Sequence, residues 1–300
     1  MDEVNIVLNA AVRLSIPLIF AGIGEWIAER AGTLNLSIEG MMLGGAFTSI
    51  LVFPTVDNSP LAFLAGAAAG AVVGWVHGEL SHRLVANTFV VGITLTIFTV
   101  GFTSFLNSEF SFAGQRIVRT AVPLLSDIPI LGPALFDKPW PAYLLWVVIP
   151  GAYWLVYRAR WGLEARAAGE DPSSAELAGI DVNRRRRQSL LLCGALAGAG
   201  GAYLSIGEVG IFSQLMTGGR GFVVLAAVIF GGWRLGLTIV GCLLFGFADS
   251  VRLALPAFGI QVSTELLQMA PYLLALLVLT IFVGRGRRPS ALAKPFIGTK

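Results

Sequence analysis

The residues of this chain that are able to do chemistry interrupt apolar runs. Between Gly24 and Gly45 the sequence reads GEWIAERAGTLNLSIEGMMLGG, so Glu25, Glu29, Arg30, Asn35 and Glu39 break up two otherwise greasy segments. A second polar entry, QLMTGGRGFVVLAAVIFGG from Gln214 to Gly232, places Gln214, Thr217 and Arg220 among glycines ahead of a small-residue run. Side chains of these types supply hydrogen-bond donors, acceptors and single charges, which is the chemistry of recognising a polar solute rather than of breaking a bond. His77, Glu79 and His82 resemble a catalytic or metal cluster at first glance. The two histidines are five positions apart, off a common helical face, so no zinc site is expected. Neither a G-x-x-x-x-G-K-[ST] phosphate loop nor a G-x-S-x-G or H-E-x-x-H motif occurs in these 300 residues. The chain is therefore not expected to be an enzyme or to bind a cofactor, and any energy source must be borrowed.

The elements that carry those residues must be membrane helices. Of the residues 55% are hydrophobic and only 13% are charged, against about 25% charged for soluble domains. So few charges do not cover so much apolar surface in water, so lipid is the expected solvent. The 36 glycines suit helices that approach one another closely in a bilayer. Cys193 and Cys242 both lie in apolar segments and read as small core residues. The start, MDEVN, has no basic region, so the first apolar run reads as a span rather than a cleaved signal. The net charge of +3 comes without an extended basic arm, and no nucleic-acid partner is expected.

Apolar runs and their breaks predict spans at 5–25, 37–53, 61–80, 88–106, 139–157, 188–206, 218–233, 235–255 and 268–284. That is an all-α polytopic protein of about nine transmembrane helices, within a range of about eight to ten, in a single transmembrane domain over 1–300. The seventh segment follows Gly218, Gly219 and Gly221 and has an alternative reading as a re-entrant half-helix. Orientation follows from the positive-inside rule. Segment 158–187 carries Arg158, Arg160, Arg166 and the run Arg184 to Arg187, and the tail carries Arg285, Arg287, Arg288, Lys294 and Lys300. Both are expected in the cytoplasm, which puts the N-terminus outside and makes 107–138 an external loop. Its length and its proline and glycine content predict a folded cap.

Broken helices at matching positions in two halves are the sequence pointer to a midplane solute site, because their freed N–H groups meet a polar ligand. The expected path therefore runs past Asn35, Glu39, Thr88, Gln214 and Arg220. Asn35 or Ser37 is expected to cap the helix that follows, with Glu39 in its first turn, where the macrodipole favours an anion. Glu29 and Arg30 have an alternative reading as an interfacial ion pair, and Arg220 as a snorkelling side chain. Glu208, Asp249 and Gln268 are candidates for a cavity or for helix ends, and Phe89, Phe212 or Phe222 for stacking on a flat ring of the solute.

The cytoplasmic segment WGLEARAAGEDPSSAELAGIDVN, 161–183, is polar and rich in small residues. Asp171 as cap and Pro172 at the first helical position predict a short exposed helix from Pro172 to Ala178, ended by Gly179. A partner's groove grips such a helix. The stretch Gly162 to Ile180 resembles the coupling-helix loop of ABC importer permeases of the ribose/branched-chain amino acid type. Glu29 to Met42 resembles the signature of that family's nucleoside and simple-sugar branch, whose members work with binding lipoproteins of the basic-membrane-protein type. Thr217 to Trp233 and the end from Gln268 through Pro271-Tyr272 to Arg285 are similar to the same branch.

The resemblance implies a type II-like permease bundle with broken midplane helices, in the cytoplasmic membrane, importing nucleosides or, alternatively, a simple sugar. It implies a double-domain ABC ATPase that holds the ATP and magnesium, a second homologous permease and an extracytoplasmic binding lipoprotein. By position it assigns contact with the ATPase to Arg166, Gly169, Glu170, Asp171, Pro172, Ala178 and Gly179. An ion-driven transporter or channel is the rival of another class.

Overall fold

The computed structural model describes residues 2–255 except 111–113, 124, 127, 129 and 130, together with 287–298 and isolated positions between 263 and 280. The expected ninth span, 268–284, and Gln268 lie outside the described residues apart from those isolated positions. Long helices α1 (Asp2–Arg30), α2 (Ile38–Val56), α3 (Ser59–Gly78) and α4 (Thr88–Glu109) come first, with a π-turn at Glu79–Arg83 after α3. A ribbon pairs β1 (Arg119–Ala121) antiparallel with β2 (Asp137–Pro139), and the short α5 (Leu131–Phe136) lies between them. Then follow α6 (Leu145–Tyr157), α7 (Arg160–Glu170), α8 (Pro172–Leu177), α9 (Val182–Ala202, continued by a π-turn to Val209), α10 (Arg220–Phe230) and α11 (Leu235–Ala254).

Among the described residues seven helices are long and apolar enough to cross a membrane. Two of them, and one shorter apolar helix, differ from expectation, each for a physical reason. The first runs to Arg30 instead of ending near residue 25, because Glu25 and Glu29 find partners inside the fold and need not leave it. The sixth starts at Val182 instead of 188. Asp181 caps it by accepting from Arg184 N at 2.9 Å, while Arg185 pairs with Glu164 and Arg187 with Glu79. The third departure is α10, with 11 residues. At 1.5 Å per residue it is about 17 Å long, roughly half of a 30 Å hydrocarbon core. The two-stranded ribbon is the other departure from an all-helical reading.

Glycine spacing sets the packing of α3 on α9. Gly66, Gly70 and Gly74 line one face at intervals of four, where a Cβ at Gly70 would overlap the Gly194 carbonyl and meet Gly198 Cα at 2.6 Å. At Gly74 a Cβ would strike the Leu190 carbonyl. Helices this close gain van der Waals contact that lipid tails do not match. The core beneath is built from α1, α2, α9, α10 and α11 around Trp26, Phe20, Tyr203 and Phe245, all fully buried. Phe89, Ile93, Ile97 and Phe102 on α4 and Trp146 and Trp154 on α6 are exposed, as a lipid-facing surface requires.

Candidate functional site

The polar residues of the first interruption hold a reversal of the chain. After Arg30 the backbone turns at Gly32, whose φ of +93° suits a glycine. It then runs back along α1. Asn35 N donates to Glu25 Oε1 at 3.2 Å and Asn35 Nδ2 to Glu25 Oε2 at 3.0 Å. Residue 35 thus lies beside residue 25, about 8 Å short of the helix end at 1.5 Å per residue. Helix α2 starts from there, at Ile38. The expected capping is corrected: Ser37 is the N-cap but makes no side-chain cap bond. Its N–H and hydroxyl both donate to Asn35 Oδ1, at 3.0 and 2.7 Å.

A histidine joins the same group. The Ser37 hydroxyl also lies 2.7 Å from His77 Nδ1. On the other side of the ring, His77 Nε2 faces the Thr88 hydroxyl at 2.9 Å. The Thr88 hydroxyl lies 3.2 Å from the Leu34 carbonyl as well. One ring therefore ties the reversal to the start of α4, where Asn87 caps by accepting from Phe89 N at 3.0 Å. His82 serves the same reversal from the π-turn, with Nε2 2.8 Å from Thr33 Oγ1. The two histidines brace the backbone.

Glu39 belongs to the second interruption as much as to the first. Its carboxylate accepts from Thr217 Oγ1 at 2.6 Å, Gly219 N at 2.8 Å and Gly221 N at 2.6 Å. An anion thus sits on the free N–H groups at the start of α10, rather than serving the dipole of its own helix. Gly221 permits the approach, since a Cβ there would lie 2.6 Å from Glu39 N. Arg220 turns away from this contact and pairs with Asp249 at 3.0 Å, which also holds Arg252 at 2.9 Å. At the other end of α10 the Trp233 carbonyl accepts from Trp26 Nε1 at 2.8 Å and Arg30 Nε at 3.0 Å, and the Trp233 indole donates to Glu29. Glu29 and Arg30 thus share Trp233 instead of pairing with each other.

Of the expected path residues, Asn35, Glu39 and Thr88 fall in this connected network and Arg220 borders it. Gln214 is exposed and joins none of these bonds. Phe212 meets Phe47 edge-on at 5.2 Å between ring centres, while Phe89 and Phe222 are exposed. A cavity of about 190 Å³ opens beside the reversal, lined by Thr33, Ser81, His82, Thr88, Phe89 and Lys294 among others. Sequence reasoning missed Glu25 as the partner of Asn35 and Trp233 as the clasp. The ten-residue separation of Glu25 and Asn35 spans a turn that periodicity does not resolve.

The arginine-rich segment holds the expected short helix, α8, and a second one, α7, where a loop was expected. In α7, Arg166 points inward, donating to the Val156 carbonyl at 3.1 Å with its guanidinium 5.3 Å from the Tyr157 ring centre. Gly169 is buried against the Arg30 carbonyl. Glu170 accepts from Ser290 at 3.2 Å. Asp171 caps α8 as expected, accepting from Ser174 N at 3.1 Å. Those bonds, with the Ser174 hydroxyl first, hold the Asp171 carboxyl below its ordinary range. Leu177, Ala178 and Gly179 face outward, and Leu177 is 91% exposed, the most exposed large apolar side chain described. Leu177 is the residue that sequence reasoning passed over, although an apolar side chain ending a polar helix was the available signal.

Comparison with known proteins adds kinship to this geometry. Residues 7–283 match the family model described as the branched-chain amino acid transport system permease component. The chain belongs to that permease family. Among its relatives, the nucleoside ABC transporter permease protein of Lactococcus lactis subsp. cremoris is 34% identical over 100% of this chain and 99% of its own length. A guanosine ABC transporter permease protein of Bacillus subtilis is 30% identical over 99% and 98%. A putative glucose ABC transporter permease protein of Haloferax volcanii is 38% identical over 82% and 76%. No solved structure matches the chain. As an ABC permease the chain is a transport subunit, and ATP hydrolysis falls to a separate partner.

Proposed function

We propose that this permease moves nucleosides inward across the cytoplasmic membrane as part of an ATP-driven importer. The observation that carries the reading is the meeting of the two interruptions at Glu39, where each charge is answered within the protein. Glu39 is taken up by backbone N–H groups and Arg220 by Asp249. A path with its charges spent in this way suits a neutral solute rich in hydroxyl and ring-nitrogen groups. The two nucleoside relatives, alike over nearly their whole length, support the same class. A simple sugar is the second reading, favoured by the 38% identity to the glucose relative.

In this reading Asn35, Glu39, Thr88 and Arg220 shape the path, with Gln214 at its approach. Nine crossings, N-terminus outside and C-terminus inside, follow if 210–233 counts as one. Its irregular half would run from the external cap, where Gly210 lies on Arg116, to Glu39, and α10 would complete the passage to Arg30. The partners are a double-domain ATPase carrying ATP and magnesium, a second, different permease and a binding lipoprotein outside. The face of α8 from Asp171 to Gly179 meets the ATPase, while Arg166, Gly169 and Glu170 hold α7 and α8 in place behind it. The deciding experiment is uptake of labelled guanosine, uridine and glucose by cells with and without this chain. Loss of glucose uptake alone would replace the nucleoside by the sugar, and loss of neither would end the proposal.

A further inference from the structure

Arg186 is fully buried, yet among the described residues its hydrogen-bond partners are carbonyls rather than a carboxylate. Its Nε donates to Ala31 O at 3.2 Å, Nη1 to Lys294 O at 2.8 Å and Nη2 to Ala168 O at 3.1 Å. Those acceptors belong to three segments: the turn where the chain leaves α1, the C-terminal tail, and α7. A guanidinium offers five N–H groups in a rigid fork, so it can hold three backbones at fixed angles where an ammonium would not. A charge is costly to bury without a counter-ion, and a sequence that needed only packing here would carry an apolar side chain.

The tail makes the same three-way connection along its length. Ala293 N donates to Gly32 O at 3.0 Å and Ala291 N to Gly169 O at 2.9 Å. Ser290 bonds Glu170, and Asn183 Nδ2 donates to the Phe296 carbonyl at 3.4 Å. The Phe296 ring packs with Ala168, Ala175 and Val182, a small apolar cluster that contains the buried face of α8. The strap therefore starts under α7, crosses the turn at Gly32 and ends against α8. Gly32 and Gly169 are close enough that a Cβ at Gly32 would lie 3.1 Å from Gly169 Cα and 2.9 Å from Arg186 Nη2.

We propose that Arg186 and the tail 289–296 form the joint through which a push on α8 reaches the chain reversal at 31–37. The joint is a positioning device, and it rests on the reading of α8 as the ATPase contact. A displaced α8 carries Phe296 and α7 with it; α7 and the tail pull on Ala31 and Gly32. The next residues, Thr33 to Asn35, are those bonded to His82 and Glu25.

The test uses the whole transporter, with its partner permease, ATPase and binding protein, in proteoliposomes. Transporter lacking residues 289–300 is expected to assemble and to hydrolyse ATP at its basal rate. Its solute moved per ATP should fall at least tenfold, and solute-loaded binding protein should no longer stimulate hydrolysis. A synthetic peptide of residues 287–300 on the ATPase side should restore a measurable part of both. Arg186→Lys should assemble and show a reduced solute-to-ATP ratio of the same sign. Full coupling in both variants would overturn the proposal, and so would loss of assembly in both, which would make the joint merely structural. Leu177→Asp separates the two readings. If it leaves ATPase binding intact, the α8 contact falls; if it abolishes binding while the truncated transporter couples normally, only the joint falls.

Discussion

Replacing Glu39 by Gln keeps the shape of the side chain and removes one acceptor from the contact between α2 and α10. The carboxylate now takes three donors on two oxygens, Thr217 Oγ1 and Gly219 N on one and Gly221 N on the other. An amide group has one acceptor oxygen, so whichever way it is turned its NH₂ faces at least one N–H. Losing a charge-assisted bond costs about 1.5–3 kcal/mol, and leaving a buried N–H without a partner about 1–3 kcal/mol. Relief of the buried charge acts in the opposite direction, at about 2.5–3.5 kcal/mol for an unpaired carboxylate at a span centre. That relief is mostly forfeited here, because the N-terminal N–H groups of α10 already replace the hydration of Glu39. The net expectation is about 2–3 kcal/mol against the closed contact, or roughly 30- to 150-fold in its equilibrium at 1.4 kcal/mol per tenfold. Hydrogen exchange at Gly219 and Gly221 in detergent should accelerate by that factor, while amides in the middle of α9 stay protected. Uptake in the assembled transporter should fall in parallel. Unchanged exchange at both glycines would refute the reasoning, because it would mean that the carboxylate contributes nothing to holding α10.

Gly221→Ala attacks the same contact by size alone, since the added Cβ would lie 2.6 Å from Glu39 N; a thermal melt should show a loss of about 1–3 kcal/mol, the range for overpacking. Gly70→Val should separate α3 from α9, where even a Cβ overlaps Gly194, and the readout is aggregation on size-exclusion chromatography. Arg220→Ala should lower transport with insertion intact, by removing one of the two partners of Asp249 and the bond to the Met216 carbonyl; wild-type uptake would return this residue to a purely anchoring role. The Asp171 cap carries a pH dependence. With its carboxyl held below the ordinary 3.8, its stabilisation of α8 is complete above that value and is lost as pH falls through the lowered one. Amide exchange at Ser174 should therefore quicken only in that acid window, and Asp171→Asn, which still caps, should flatten the dependence.

Much of this was legible in the sequence because lipid imposes a simple rule. A helix buries its own backbone bonds, so an apolar run of sufficient length announces itself, and the starts of α2, α4 and α11 fell within a residue of expectation. Asp171-Pro172 announced α8 for an equally local reason, because the cap and the first-turn proline act within four residues. What stayed hidden was the use of each polar group over long separations. The sequence marks Glu39 as an acid in the first turn of its own helix, yet it serves a helix 180 residues further on. The arginine run at 184–187 looks like a solvated loop, yet only Arg184 among the four is exposed, while Arg186 is entirely buried. Composition marks those charges as a group but does not say which backbones or carboxylates each one holds. A charge is written into the sequence as a cost, and its partner appears only when the chain has folded back on itself. The two polar interruptions are similar in composition because they meet, each supplying what the other lacks: the first an anion, the second unbonded N–H groups.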